Sequence, residues 1–187
     1  MHIPGSWILL LFVIVLAALA LILLHLTEVG RILHQRIPDR PHRRLLLASL
    51  SFFLTFLAAR LLVFSITHHI GPFGYVVVGG THIHHLVWGI LLLLLSGYAT
   101  LAEVGAGDTP ASIFFSRLLS IAYGVGAALT LDEFALWLNL DPNAYWSAQD
   151  RESIDAIILF GALLAIGTWG APLLYRTRQS SSHTTQK

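Results

Sequence analysis

Apolar residues along this chain occur in long runs that short polar stretches separate. Five of these runs are about 18 to 25 residues long, the length that an α-helix needs to cross a hydrocarbon layer roughly 30 Å thick. The pattern therefore predicts five transmembrane helices, at about residues 7–29, 44–67, 84–104, 113–138 and 154–175. We expect an all-α fold, a polytopic membrane helix bundle of about five spans.

The polar stretches predict how the rest of the chain is organised. Residues 1–178 are expected to form a single transmembrane domain, followed by a disordered tail at 179–187 that is rich in Ser and Thr. Between the second and third predicted helices, Gly71-Pro72, three valines and Gly79-Gly80 are typical of a short extended or re-entrant element outside the bilayer.

The composition agrees with a membrane location and excludes several kinds of chemistry. Of the 187 residues, 56% are hydrophobic and only 11% are charged, and the mean hydropathy is +0.73. A soluble domain carries about 25% charged residues, so the composition argues against a soluble globular protein. The chain has no cysteine, which excludes disulfides, thiolate metal sites and a cysteine nucleophile. A net charge of +1 gives no general attraction to nucleic acid.

The distribution of basic residues predicts an orientation in the cell membrane. Most of them fall on one side if the five helices alternate in direction: Arg31, Arg36, Arg40, Arg43, Arg44, Arg117, Arg176, Arg178 and Lys187. Because basic residues concentrate on the cytoplasmic side, we expect an extracytoplasmic amino terminus and a cytoplasmic carboxyl terminus.

Polar residues within the predicted spans lie near one end of the bundle. Arg60 lies about 10 Å below the end of the second helix, and Asp132 about 9 Å below the end of the fourth. A charged side chain in an apolar span costs roughly 2.5–3.5 kcal/mol, so it faces the bundle interior and finds a partner. We expect Arg60 to pair with Asp132 or Glu133, and the other carboxylate to face the nearby histidines. A purely structural ion pair would give the same pattern.

The motif Thr81-His82-Ile83-His84-His85 places three imidazoles where an extended segment meets a helix. Imidazole is the commonest protein ligand for zinc, copper and non-haem iron, and a carboxylate commonly completes such a site. The sequence therefore predicts a divalent-metal site, with zinc or iron favoured, whose candidate ligands are His82, His84, His85, Asp132 and His68. Glu133 or Asp155 is the candidate general base on a metal-bound water. This chemistry suits hydrolysis or transfer on a lipid or membrane-bound substrate.

Other interpretations of the same residues stay open. The ionisable groups are also typical of a proton or cation pathway, as in pumps and transporters. A third interpretation is that the protein is a noncatalytic subunit of a membrane complex. The histidines also fit a purely structural role, as polar side chains that anchor the helix ends at the membrane interface. Tyr145 and Trp146 belong to an aromatic belt or form a lid over the polar pocket.

The blocks HIHHLVWGI and LDEFALWLNLDPNAYW, followed by RESIDA, resemble a group of small bacterial integral membrane proteins. The similarity covers about residues 81–156 and includes both motifs in the same order. It implies a bacterial multi-pass membrane protein and no particular activity. The positions that carry the resemblance are His82, His84, His85, Asp132, Glu133, Tyr145 and Asp155.

Overall fold

The computed structural model describes residues 37, 39–71, 77–78, 81–82, 84–140 and 150–183, without the side chains of 77–78, 81–82 and 169–183. The first predicted span, residues 7–29, lies outside the described residues, as do Tyr145 and Trp146. The elements in chain order are α1 (Arg40–Thr67), β1 (Val77–Val78), β2 (Thr81–His82), α2 (His85–Leu101), α3 (Pro110–Asp132), α4 (Phe134–Asn139) and α5 (Asp150–His183).

The described part of the chain is helical apart from one short strand pair, in agreement with the all-α prediction. The strands β1 and β2 pair antiparallel, with Val77 opposite His82 and Val78 opposite Thr81. This pair lies within the stretch that the sequence predicts as extended. Helix α5 continues through His183, so its last turns extend into the segment that the sequence predicts as a disordered tail.

Two described helices are long and apolar enough to cross a membrane. They are α1 and α3, with mean hydropathies of 2.1 and 1.5 over their most apolar stretches, and α2 is a shorter apolar helix. A buried core helix of a soluble protein passes the same test of length and composition. The finding therefore supports membrane association without fixing the number of spans.

Helices α1 and α3 run parallel, and hydrogen bonds connect their N-terminal ends. Each begins with a proline in its first turn, where the missing N–H costs no intrahelical hydrogen bond. The Arg40 guanidinium donates hydrogen bonds to the carbonyls of Ala106 and Gly107 and to the Asp108 carboxylate, in the loop before α3. This contact joins the start of α1 to the start of α3.

Small residues bring the helices close together along their length. Gly124 in α3 packs against the backbone of Ala48 and the hydroxyl of Ser51 in α1, where a β-carbon would lie 2.2 Å from each. Gly89 in α2 packs against Thr130 in α3, where a β-carbon would lie 2.5 Å from the hydroxyl. Close backbone approach at small residues is typical of membrane helix pairs. Helix α3 is therefore the central helix, with α1 and α2 packed tightly against it.

The predicted helix at residues 113–138 is broken in the structure. Helix α3 ends at Asp132, Glu133 adopts φ −104° and ψ 23°, and α4 begins at Phe134. The Ala135 N–H donates to the buried Ser153 hydroxyl of α5, 2.9 Å away. The acceptor comes from another helix, so periodicity along the sequence does not reveal the break. The corner places Asp132 and Glu133 between α1, α2 and α5.

Candidate functional site

Asp132 is the centre of the site and has no solvent-exposed surface. The Arg60 Nε–H donates to its Oδ1, 2.5 Å away, from the C-terminal part of α1. His85 Nε2 lies 2.9 Å from its other oxygen, Oδ2. Both oxygens of this buried carboxylate therefore face a charged or ionisable partner, as a buried carboxylate requires.

Asp150, at the start of α5, is a member of the site that the sequence reading missed. Its carboxylate accepts hydrogen bonds from Arg60 Nη1 and Nη2 at 2.7 and 3.0 Å. A guanidinium has five N–H donors, more than Asp132 alone can accept. The number of donors on Arg60 therefore predicts a second carboxylate partner, which the sequence analysis did not include.

Glu133 faces both histidines, as the sequence predicts for one of the two carboxylates. Asp132 pairs with the guanidinium but also faces one imidazole, so the division between the carboxylates is only partial. His84 Nδ1 lies 2.9 Å from Glu133 Oε1, and the Leu86 N–H donates to Oε2 at 2.9 Å. An N–H in the first turn of a helix has no partner within that helix. The Glu133 side chain therefore caps α2 and at the same time fixes the orientation of the His84 ring.

These contacts join into one continuous chain of ionisable groups. His85 is the central link, because its Nε2 faces Asp132 and its Nδ1 lies 3.5 Å from Glu133 Oε1. The side chains of Asp150, Arg60 and His84 are partly exposed, at 23%, 20% and 27%, whereas Asp132 and Glu133 are buried. We call this set the ionic network, and its members in order are Asp150, Arg60, Asp132, His85, Glu133 and His84.

The ionic network carries an excess of negative charge when its imidazoles are neutral. It contains the carboxylates of Asp132, Glu133 and Asp150 and a single guanidinium. Protonation of both imidazoles would bring its formal charge to zero.

Two of the predicted site residues are not brought to the ionic network. The Asp155 side chain is 58% exposed, and its carboxylate lies 3.7 Å from Arg151. His68 is exposed at the end of α1, where its ring stacks on Phe64 with ring centroids 4.0 Å apart. The helix at residues 150–183 begins a turn before the predicted start at 154, and Asp150 at its first position faces Arg60. For His82 only the backbone in β2 is described.

The imidazole nitrogens and carboxylate oxygens that could bind a metal ion face one another in the ionic network. No group of three or more histidine, aspartate or glutamate side chains among these residues is arranged to hold a metal ion. The arrangement is that of a hydrogen-bonded acid–base cluster, in which each imidazole faces at least one carboxylate.

Comparison with known proteins gives no independent indication of the function. No family model, no curated protein and no solved structure matches this sequence.

Proposed function

We propose that the chain is a multi-pass membrane protein of about five spans, oriented with its C-terminus in the cytoplasm. The support comes from the outer surfaces of the described helices, which carry many exposed leucines and isoleucines. Examples are Leu61 on α1, Leu95 on α2 and Leu159 on α5, each more than half exposed. Extended apolar surface of this kind fits contact with lipid or with another apolar helix.

We propose further that the ionic network binds and transfers protons near the extracytoplasmic side of the membrane. The observation that carries this proposal is the position of His85, which has one ring nitrogen toward each buried carboxylate. An imidazole that gains a proton at one nitrogen can release the proton of the other. A proton taken up from Glu133 therefore leaves toward Asp132, and the number of protons held by the ring is unchanged.

Arg60 has a different role in this proposal from the other members. A guanidinium stays protonated in proteins, so Arg60 does not pass protons on. Its guanidinium is held between the carboxylates of Asp132 and Asp150 by ion pairs to both. Proton transfer in this proposal therefore runs through His84, Glu133, His85 and Asp132. It does not continue from Asp132 to Arg60.

Proton flux into vesicles tests the proposal. The protein is reconstituted into phosphatidylethanolamine–phosphatidylglycerol vesicles that contain a pH-sensitive dye, and a membrane potential is applied with potassium and valinomycin. We expect a protein-dependent flux that His85→Asn lowers by about 100-fold, since positioned proton-transfer groups contribute that order of rate. His69→Asn is the matched control, because His69 is exposed at the end of α1 in a left-handed conformation that asparagine tolerates. Equal fluxes with wild-type protein and with empty vesicles would contradict the proposal.

A divalent-metal site for hydrolysis or transfer on a lipid or membrane-bound substrate is the second candidate. The pairing of His84 with Glu133 favours it, because metal-binding histidines commonly direct their other ring nitrogen to a carboxylate. In this candidate His82 and His84 are ligands and zinc or iron is the ion. Elemental analysis of purified wild-type protein and of His84→Ala tests it. Stoichiometric metal that the variant loses while remaining folded would favour this candidate over proton transfer, and metal-free wild-type protein would contradict it.

A further inference from the structure

Thr55 lies in the middle of α1. Among the described residues, its hydroxyl oxygen is the one buried side-chain nitrogen or oxygen atom that lacks a hydrogen-bond partner. Its side chain is almost completely buried, and its Oγ1 contacts no donor or acceptor there. Hydroxyls elsewhere in these helices donate to the carbonyl four residues before, as Ser51, Ser120 and Thr130 do. A buried hydroxyl without a partner costs about 1–3 kcal/mol, so its presence calls for a ligand.

The position of Thr55 relates it to the ionic network. Ser51, Thr55 and Ala59 follow one another at four-residue spacing along the face of α1 that packs on α3. Gly124 packs against Ser51, and Asp132 lies eight residues after Gly124 on the same face of α3. Because α1 and α3 run parallel, Thr55 is level with a position about one turn, or roughly 6 Å, below Asp132.

A proton on Asp132 needs an exit from the interior of the protein. Asp132 is fully buried, and the neighbouring Arg60 cannot accept a proton. Toward the N-terminal end of the α1–α3 interface, the buried polar side chains after Thr55 are the hydroxyls of Ser51, Ser120 and Ser116. Each of these oxygens has lone pairs that can accept a hydrogen bond from water.

We propose that the Thr55 hydroxyl binds a buried water molecule that connects the ionic network with this row of serine hydroxyls. The inference rests on the proposed proton transfer and names its route toward the cytoplasmic side. Water accepts a proton at its oxygen as the O–H bond of protonated Asp132 breaks. It then releases another of its protons to a serine hydroxyl, which passes its own proton on, so each O–H bond that breaks is matched by one that forms. The Thr55 oxygen holds that water about one turn from Asp132, and buried waters of this kind form about three hydrogen bonds.

Proton flux through Thr55 variants in the same vesicles tests this route. Thr55→Val keeps the shape of the side chain and removes the hydroxyl, and we expect it to lower the flux about tenfold, as loss of one buried hydrogen bond would. Thr55→Ser restores the hydroxyl and should restore most of the flux. Thr168→Val is the matched control, because Thr168 is equally buried but donates to the Leu164 carbonyl of its own helix.

The outcomes separate the route from the proposed function. A wild-type flux in Thr55→Val, while His85→Asn removes the flux, would overturn the route and leave the proton-transfer proposal standing. No flux with wild-type protein would overturn both. Water-edited solid-state NMR gives a second measurement that does not need a variant to fold. We expect magnetisation transfer from water to the Thr55 side chain and none to Thr168, and absence of transfer at Thr55 would overturn the route.

Discussion

Arg60→Met is expected to destabilise the protein strongly, because it leaves a buried carboxylate without its cation. Arg60 contacts two carboxylates, and one of them, Asp132, has no exposed surface. Removing one partner of a buried ion pair costs about 3–5 kcal/mol, since the other charge stays buried and unpaired. His85 remains beside Asp132 and compensates part of the charge when protonated, so we expect a loss near the lower end of that range.

A second substitution separates the charge from the packing. In Arg60→Met/Asp132→Leu both charges are replaced by apolar side chains of similar size, which is often nearly neutral for a buried pair. We therefore expect the double variant to be more stable than Arg60→Met alone. Asp150 stays partly exposed in both variants and contributes less to the difference.

The assay is unfolding of the purified protein from mixed micelles by titration with a denaturing detergent, followed by circular dichroism. Arg151→Met is the matched control, because Arg151 is 84% exposed and lies 3.7 Å from the exposed Asp155. Such surface pairs contribute about 0–1 kcal/mol, so the control should unfold close to wild type. The reasoning is refuted if Arg60→Met unfolds like the control, or if the double variant is less stable than the single one.

Two further predictions concern the packing that forms the site. Gly89→Ala should lower the free energy of unfolding by about 1–3 kcal/mol, because the added methyl overlaps Thr130. In Gly97→Ala the added methyl enters open space, so this variant should be neutral or slightly stabilising. Unfolding of both variants in the same detergent assay checks this, and similar losses of stability in the two would contradict it. Ser153→Ala removes the acceptor of the Ala135 N–H and should cost about 1–3 kcal/mol, with faster amide hydrogen exchange at Ala135, and unchanged exchange would show that the hydroxyl does not hold the corner.

The helices and the central ion pair follow from the sequence with little help from tertiary structure. Long apolar runs predict helices because the backbone must satisfy its own hydrogen bonds in an apolar environment. Arg60 and Asp132 lie at similar depth in their predicted helices, and buried opposite charges pair. The two residues are indeed in contact.

The parts that sequence reasoning missed depend on contacts between distant segments. The apolar pattern of the last helix begins at Ile154, yet the helix begins at Asp150, and the additional first turn carries the aspartate that meets Arg60. The break at Glu133 has no glycine or proline to mark it, and the hydrogen bond just after it goes to Ser153, twenty residues after Glu133. Local periodicity carries no information about either contact.

The N-terminal end of α2 is held in two ways that together restrict how this helix can move. The Leu86 N–H is bound to Glu133, and one turn later Gly89 lies against the backbone of α3. Sliding α2 along its axis would break the first contact and drive the second into a steric clash. These two contacts therefore hold the histidine end of α2 at a fixed height along α3, and with it the imidazoles of His84 and His85.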